Sequence, residues 1–436
     1  MKNRFKILMF LAVLAFAFTA CDDDDPANVT AGFTYAPENN IQAGDTVFFT
    51  NTSVGAAGYE WTFGDNETST EANPFHIYTE PGIYDVTLIA LNGGVSSTIT
   101  WQVNVDADLA YIVNAGNWSG DKSTITAYNK YSDEMINQHY YSVNGLDITS
   151  NIQFAYNYNG KVYMMGNTAD QIFWVDAKTF EQTENGITDQ IVAPRNCQAQ
   201  GDFLYVSCWG GAVYADPTVS YIAKVDLTAG EVVKTIPVHY GPEGLAVVGN
   251  KLYAALNYTN QVAVIDLDTD EVSYIDLPEG NIPSYFEKDD QNNLYVILGA
   301  AYGDEATQTG IGYINTSADV FETRYDLDGV SSMNYVDVFE FNDDFSKLYI
   351  LTSGGYGMPG GVSVFDVASK SFESEKIIDG VNGLNGLAYY DNKLFCFFSE
   401  NVTSNGRVVS YSPDGTPLNE YGAGIAPFML VKVENR

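Results

Sequence analysis

A short apolar strand pattern is repeated along most of this chain. Runs of apolar residues, most with Tyr or Phe at the centre, occur seven times after residue 106, at intervals of roughly 40–55 residues. The seven runs are residues 111–113, 162–164, 204–206, 252–254, 294–296, 348–350 and 394–396. Such an interval is typical of a four-stranded β-propeller blade. The pattern therefore predicts a seven-bladed β-propeller over residues 107–436.

A second strand follows each run and ends in a short polar side chain. The terminal residues are Asn129, Asp176, Asp226, Asp266, Asn315, Asp366 and Ser412. Side chains of this kind accept hydrogen bonds from backbone N–H groups of the turn that follows. We therefore expect this row of aspartates to hold hairpins together rather than to take part in catalysis.

The end of the chain has the pattern of an innermost propeller strand. A short strand of this type precedes most of the seven runs and ends in a turn such as Gly201-Asp202, but none precedes the first run. Residues 425–431 supply the missing pattern. We expect them to form the innermost strand of the first blade, which would close the ring and remove its free edge.

Residues 31–105 alternate apolar and polar positions in short runs broken by Gly, Pro and Asn, which predicts strands. Three motifs lie within them in order: residues 59–65 (YEWTFGD), 73–78 (NPFHIY) and 81–88 (PGIYDVTL). This segment resembles the PKD domain, an immunoglobulin-like sandwich, and we assign residues 30–106 to it. Trp61 and Phe63 should point inward, and His76 should be a packed, hydrogen-bonded core residue. PKD modules usually serve as spacers or weak adhesive domains. The predicted fold class is all-β: a PKD sandwich followed by the propeller.

The first residues have the features of an export signal. A basic start precedes an apolar run at residues 7–18 that is too short to span a membrane comfortably. The following Thr19-Ala20-Cys21 resembles the lipobox of bacterial lipoproteins. We expect residues 1–20 to be a signal peptide, Cys21 to be lipidated, and residues 21–29 to form an acidic tether. The alternative is an ordinary secretory signal cleaved near a cysteine.

Four aspartates follow Cys21 directly. An acidic run there resembles the surface-export signal of Bacteroidetes lipoproteins, which implies an outer-membrane, surface-exposed protein attached only through its lipid. In enterobacteria, Asp at this position would imply retention at the inner membrane. The run is also compatible with a simple solvated tether.

The formal net charge of −36 argues against nucleic acid and anionic membrane surfaces as partners. Besides Cys21 there are only three cysteines, so the chain is not a disulfide scaffold. If Gly201-Asp202 is a two-residue turn, Cys208 should face Arg195. Cys197 would then be a diagonal neighbour of Cys208, beyond comfortable disulfide reach.

Candidate ligand-binding residues lie at one face of the predicted propeller. The starts of the innermost strands and the loops between the second and third strands share that face, and those loops are long and varied. Aromatic side chains with polar tips there suit a large planar or glycosidic ligand. The candidates are Asn117, Trp118, Gln153, Arg195, Trp209, Tyr214, Glu243, Tyr258, Tyr285, Tyr302, Asn334, Tyr335, Tyr356, Asn385 and Phe428.

The propeller repeats resemble the YVTN-type repeats of bacterial propellers. Residues 111–118 (YIVNAGNW) and 239–244 (HYGPEG) resemble the Bacteroidetes lipoprotein family DUF5074, which includes the cobalamin-capturing surface lipoproteins of the BtuG type. This resemblance implies a binding protein rather than an enzyme. It implies that the propeller binds an extracellular small molecule, such as a corrinoid, and passes it to a TonB-dependent outer-membrane transporter.

Two other functions remain open from the sequence. The propeller and PKD domain together could form an adhesive or structural surface module that binds glycans or proteins. Alternatively, Glu243, Asn196, Asn334 and Asn385 could surround a divalent metal, as in propeller lyases and lactonases. Three histidines, with no close pair and no convergent carboxylate cluster, argue against that arrangement. We therefore expect no catalytic residue, no metal and no cofactor.

Overall fold

The computed structural model describes residues 28–38, 41–106, 109–117, 120, 122–130, 132–299, 309–330, 338–352, 359–401 and 403–433. These residues form two compact units. One unit holds Thr46–Tyr78, Gly82–Asn104 and the described residues up to Ile41, and the other holds Gln42–Asp45, Thr79–Pro81 and the chain from Val105 onward. No helix within the described ranges is long and apolar enough to cross a membrane.

Two antiparallel sheets form a sandwich in the N-terminal part of the chain. The three-stranded sheet contains, in spatial order, Phe33–Ala36, Thr46–Asn51 and Phe75–Ile77. The five-stranded sheet contains Ile41–Gln42, Val95–Asp106, Gly82–Asn92, Gly58–Thr62 and Thr68–Ser69.

The core of this sandwich is aromatic, as the motifs predict. Trp61 and Phe63 are almost fully buried, and the Trp61 indole N–H donates to the Glu71 carbonyl at 2.9 Å. The His76 ring stacks on Phe63 with centroids 4.3 Å apart, and its Nε2 lies 2.6 Å from the Asp65 carboxylate. The prediction that His76 is a packed, hydrogen-bonded core residue is confirmed.

The C-terminal unit contains seven antiparallel sheets, which are the predicted blades. We number them along the chain and letter their strands a to d from the innermost outward. Blade 1 contains Pro427–Val431, Leu109–Asn114, Thr124–Asn129 and Glu134–Ile136. Blade 2 contains Ile152–Tyr158, Lys161–Gly166 and Gln171–Asp176. Blade 3 contains Pro194–Gln200, Phe203–Cys208, Tyr221–Asp226 and Glu231–Pro237.

The remaining blades follow the same order. Blade 4 contains Pro242–Val248, Lys251–Leu256, Gln261–Asp266 and Val272–Asp276. Blade 5 contains Ile282–Lys288, Leu294–Gly299, Gly310–Asn315 and Val320–Asp326. Blade 6 contains Phe339–Phe341, Lys347–Thr352, Pro359–Asp366, Ser371–Phe372 and Ile378–Asn382. Blade 7 contains Leu384–Tyr390, Lys393–Phe398, Asn405–Tyr411 and Pro417–Ile425. The described helices are short: His139–Asn144, and the 3-10 turns Asn167–Ala169 and Pro217–Val219.

The seven apolar runs read from the sequence lie in the b strands. These strands are buried over nearly their whole length, as at Leu252–Leu256, where every side chain is inaccessible to solvent. A sheet that is covered on both faces favours continuous apolar runs over alternation. This burial explains why the b strand was the clearest repeat signal.

The end of the chain closes the ring as predicted. Pro427–Val431 pairs antiparallel with Leu109–Asn114, with Leu430 opposite Ile112. The backbone N–H of Gly424 also donates to the Asn114 side chain at 3.0 Å. The first and last strands of the propeller are therefore held together by backbone and side-chain hydrogen bonds.

The a strands share a β-bulge near their first residues. The register shifts in the described a strands of six blades, between residues 152 and 155, 194 and 196, 242 and 245, 283 and 286, 384 and 386, and 427 and 429. The residues that precede the a strand of blade 6 lie outside the described ranges. A bulge leaves extra residues unpaired and bends its strand.

This bulge corrects one prediction. Cys208 faces Pro194, and the expectation that it faces Arg195 is wrong because Arg195 is the extra residue of the bulge. Cys197 pairs with Val206, and Cys197, Cys208 and Cys396 are all buried, free thiols. The conclusion that Cys197 and Cys208 form no disulfide is therefore confirmed, and only the residue expected opposite Cys208 was wrong, by one position.

Candidate ligand-binding site

The bulges hold most of the predicted strand-start residues. Their unpaired positions include Gln153, Arg195, Glu243, Ser284, Tyr285, Asn385 and Phe428. Bulges re-aim side chains and are frequent beside active sites. The same β-bulge thus presents a different side chain in each of these blades, as is expected of a recognition surface built on a repeated scaffold.

Three bulge residues from neighbouring blades are joined by hydrogen bonds. Arg195 of blade 3 donates to both carboxylate oxygens of Glu243 in blade 4, with Nη2 2.6 Å from Oε1 and Nε 3.0 Å from each oxygen. The Tyr285 hydroxyl of blade 5 donates to the same Oε1 at 2.9 Å. The Glu243 side chain is only 4% exposed. Hydrogen bonds from Arg195 and Tyr285 therefore replace most of the water that this carboxylate would otherwise bind. Bidentate pairing fixes the plane of the guanidinium as well as its position.

That fixed guanidinium is part of an aromatic platform, which we define as Trp209, Tyr258 and Arg195. The guanidinium carbon of Arg195 lies 4.3 Å from the centroid of the Trp209 ring, within cation–π range. Tyr258 meets Trp209 edge to face, with centroids 5.6 Å apart. Burial, and then the nearby Glu243 carboxylate, raise the pKa of Tyr258, so its hydroxyl keeps its proton at neutral pH. Residues from two loops and one bulge thus form a continuous surface that includes a neutral phenol.

A strained turn supports this platform. His239, Tyr240 and Gly241 all have positive φ, at 57°, 51° and 62°. A Cβ at Gly241 would lie 2.8 Å from the Tyr258 ring, so only glycine permits that approach. The Tyr240 carbonyl accepts from the Tyr258 backbone N–H at 3.2 Å. Left-handed backbone at bulky residues is costly and clusters at ligand clamps. This turn includes the start of the sequence motif at residues 239–244.

Two polar atoms, one in the platform and one in the turn that supports it, have no hydrogen-bond partner. They are Nε1 of Trp209 and Nδ1 of His239, both buried. Buried polar groups are otherwise nearly always paired. An acceptor supplied by a ligand or by water would satisfy the indole N–H of Trp209.

The other predicted site residues have varied surroundings. Tyr214, in the same loop as Trp209, is 79% exposed, and the Asn117 carbonyl accepts from the Asn151 amide at 3.4 Å. Gln153 is buried at its bulge. Asn385 donates to the Pro427 carbonyl at 3.1 Å, a hydrogen bond that joins blade 7 to blade 1. Phe428 is fully buried. Cys21, Trp118, Tyr302, Asn334, Tyr335 and Tyr356 lie outside the described residues.

The sequence did not reveal a cavity within the ring of a strands. It has a volume of about 350 Å³ and is lined by a strands of blades 1 to 6, from the bulges towards the a–b turns. Its polar lining consists of Asn157, Asn196, Gln198, Tyr285, Glu287, Glu340 and Lys432. In the sequence, most of these residues have the pattern of ordinary polar positions beside a turn. A position-by-position alignment of the a strands would have grouped them, since most follow the bulge by a few residues.

Within the described ranges, no three His, Cys, Asp or Glu side chains come together in a way that could hold a metal ion. Of the residues considered for such a site, Glu243 is bound by Arg195 and Tyr285, and Asn385 by the Pro427 carbonyl. Asn334 lies outside the described residues.

Comparisons with known proteins agree with this architecture. Residues 24–105 match the PKD domain family. A quinonprotein alcohol dehydrogenase-like protein from Bacteroides thetaiotaomicron superimposes with a TM-score of 0.57 at 16% identity, over 89% of this chain and 95% of that one. The periplasmic gluconolactonase of Pseudomonas aeruginosa gives a TM-score of 0.56 at 12% identity, over 74% of this chain and 98% of that one.

At such low identity these structures show similarity of fold alone, since one fold hosts many functions. No curated protein sequence matches the chain. Together with the blade count and the bulge geometry, the comparisons establish that this is an all-β protein in which an immunoglobulin-like PKD domain precedes a seven-bladed β-propeller.

Proposed function

We propose that this protein is a lipid-anchored surface protein that captures an extracellular ligand on the aromatic platform of blades 3 and 4. The observation that carries the proposal is the bulge in six a strands, whose position is repeated while its side chains differ. In blades 3 to 5 these side chains form one connected cluster. Binding sites are commonly grafted onto repeated scaffolds in this way.

The electrostatics of the cluster favour a ligand with a large flat or ring-shaped surface. Because the charge of Arg195 is paired with Glu243, it contributes a stacked cation to the platform rather than a partner for an anionic ligand. Trp209, Tyr258 and the exposed Tyr214 add aromatic area with polar tips, a combination suited to bulky amphipathic ligands.

A corrinoid such as vitamin B12 is the first ligand that we propose. Its large macrocycle fits the chemistry of the platform, and the sequence motifs at residues 111–118 and 239–244 resemble those of cobalamin-capturing lipoproteins. Captured ligand would then pass to a TonB-dependent transporter in the outer membrane.

The direct test is titration of the purified full chain in detergent with cyanocobalamin, haem and a panel of glycans. We expect cyanocobalamin to bind and Trp209→Ala to weaken binding at least about tenfold, which corresponds to roughly 1.4 kcal/mol. Tyr141→Ala is the matched control because Tyr141 is an exposed aromatic residue on a helix outside the platform. Binding of haem or a glycan, without binding of cyanocobalamin, would refute the corrinoid assignment. Equal ligand affinities of the Trp209→Ala and Tyr141→Ala variants would refute the location of the site.

The anchor is tested separately. Growth with a labelled fatty acid should label the wild-type chain and leave Cys21→Ser unlabelled. Removal of Asp22 to Asp25 should reduce the access of external protease to the propeller in intact cells. Label retained by the serine variant would contradict lipidation at Cys21.

A further inference from the structure

The bulge side chain of blade 2 is buried, yet it makes no hydrogen bond. Gln153 is only 6% exposed, and within the described residues its amide neither donates nor accepts. Its amide atoms are not sealed from solvent, whereas Nε1 of Trp209 is. Polar side chains that are this deeply buried nearly always pair with protein or with ordered water. The Gln153 amide is therefore both accessible and unused.

The structural role open to a bulge amide is already filled in blade 2. In blade 7 the equivalent residue, Asn385, donates to the carbonyl of Pro427 at the start of the next a strand. The corresponding carbonyl beyond blade 2 is that of Pro194, and it accepts the Asn167 side-chain amide at 3.2 Å. Blade 2 is thus joined to the next blade without a contribution from the Gln153 side chain.

Gln153 lies beside the aromatic platform in the order of the blades. Gln153, Arg195 and Glu243 each come directly after the first paired residue of the a strand, in blades 2, 3 and 4. Arg195 reaches Glu243 in the next blade, and its guanidinium lies against the Trp209 ring. Gln153 is therefore the neighbouring bulge residue on the other side of Arg195 from Glu243.

The amide of Gln153 favours one kind of partner. A side-chain amide presents an acceptor oxygen and an NH₂ donor side by side. A carboxamide can satisfy both with a pair of hydrogen bonds. A carboxylate can accept from the NH₂ group alone, and it would bring its charge beside the Gln153 oxygen. The positive charge of the neighbouring Arg195 is already paired with Glu243.

We propose that Gln153 selects ligands that carry a neutral carboxamide at the edge of their ring, an inference that rests on the proposed function of the platform. The ring stacks on the platform, and a carboxamide at its edge forms two hydrogen bonds with the Gln153 amide. Gln153 then distinguishes an amide from a carboxylate at one position of the ligand. Cyanocobalamin carries carboxamides around its macrocycle, whereas haem carries carboxylates.

The test is calorimetric titration of the full chain in detergent with cyanocobalamin and with its monocarboxylic acids, in each of which one carboxamide is hydrolysed. We expect the wild type to bind at least one of these acids about tenfold less tightly than cyanocobalamin, because two hydrogen bonds are lost. Gln153→Met keeps the length of the side chain and removes its amide. It should weaken cyanocobalamin binding about tenfold and abolish the preference over that acid.

Thermal unfolding separates recognition from folding. Because the Gln153 amide has no partner within the described part of the chain, Gln153→Met should leave the melting temperature unchanged or raise it. A residue needed for folding would lower it. Gln291→Met is the matched control, at an exposed glutamine in the a–b turn of blade 5, and should bind cyanocobalamin like the wild type. Should Gln153→Met aggregate, Gln153→Glu decides, because it removes the NH₂ donor at the same length and should also weaken binding.

The outcomes distinguish this inference from the proposed function. Unchanged cyanocobalamin affinity in Gln153→Met, with weakened binding in Trp209→Ala, would overturn the role of Gln153 and leave the platform in place. Equal affinities of the wild type for cyanocobalamin and all of its monocarboxylic acids would also overturn it. Binding of haem or of a glycan without acetamido groups, in place of cyanocobalamin, would overturn both this role and the corrinoid assignment. An acetamido glycan bound in its place would support the role only if Gln153→Met weakens that binding.

Discussion

The c–d turns recur at the same place in successive blades, and so do the a-strand bulges. The turns repeat the same side-chain chemistry, whereas the bulges repeat only a backbone geometry. At the turns the chemistry itself is repeated. Asp226 accepts backbone N–H groups from Thr228 and Ala229 at 2.8 and 2.9 Å, and Asp266 accepts those of Asp268 and Thr269 in the same manner. Asp176, Asn315 and Asp366 make the same type of contact.

At the bulges only the backbone is repeated. Gln, Phe, Arg, Glu, Gly, Ser, Tyr and Asn fill the unpaired positions of the six described bulges. A side chain that every blade needs for folding is found in nearly every blade, whereas a side chain selected for recognition has no reason to recur. This contrast separates structural polar residues from functional ones within a single repeat.

Blade 1 offers the most severe test, because its bulge residue Phe428 is also a core residue. Deletion of residues 424–436 should remove the a strand of blade 1, expose the edge of Leu109–Asn114 and cost several kcal/mol, a large fraction of ordinary domain stability. Thermal unfolding followed by circular dichroism should show loss of the propeller transition. Deletion of residues 434–436 alone is the control. A propeller transition unchanged by the longer deletion would mean that the ring does not need this strand.

The Arg195–Glu243 pair tests whether bulge side chains serve ligand recognition rather than folding. Either Arg195→Ala or Glu243→Ala should cost about 3–5 kcal/mol, because each leaves a buried charge without its partner. The double substitution Arg195→Met with Glu243→Leu should cost far less and should still weaken ligand binding to the platform.

Urea unfolding of the two single variants and the double variant measures this coupling. For comparison, Glu420→Ala breaks the exposed ion pair with Arg407, which spans 3.1 Å, and should cost about 0–1 kcal/mol. A double variant as unstable as the single variants would indicate that this pair serves folding, like the turn aspartates.

The smallest effect is expected at the turns. Asp266→Ala should lower the urea midpoint without changing the slope, whereas Asp266→Asn should have little effect because Asn315 fills the equivalent position in blade 5. Backbone and side-chain hydrogen bonds from Thr269 hold the pKa of Asp266 below its usual value. Its contribution is therefore present above about pH 4, the pKa of an unfolded Asp, and is lost as the pH falls through the lower folded value.

The matching measurement is the urea midpoint at pH 7 and pH 3. Asp266→Asn should lose less stability between these two pH values than the wild type. Equal losses in both proteins would show that Asp266 does not contribute to the acid sensitivity of the propeller.

The sequence revealed the parts of the fold that repeat in chemistry. The buried b strands, the turn aspartates and the closing strand all follow from local patterns, such as the centrally placed Tyr253 or the carboxylate of Asp226. The bulge at Arg195 could not be predicted because one extra residue leaves no mark in an apolar pattern. For the same reason the register at Cys208 was misplaced by one position.

The sequence predicted which positions could form the candidate site, but not which of their side chains contact one another. That Arg195, Glu243 and Tyr285 meet depends on the curvature of three adjacent blades, and that Asn385 and Phe428 serve the closure depends on where the last strand lies. Glu287, Glu340 and Lys432 were missed because charged residues beside turns are normally solvated. Their convergence becomes visible only when the a strands are arranged around one axis.

Closure by the C-terminal strand also has a consequence for the order of folding. Gly424 and Asn114 are in contact across 310 residues of sequence, so the first blade cannot be completed until the end of the chain has been synthesised. Contacts of such high sequence separation slow folding, because a long loop must be ordered before they form. Blades 2 to 7 can each form from continuous chain, whereas the edge of Leu109–Asn114 must wait unpaired, and during that interval the nascent protein is most exposed to aggregation.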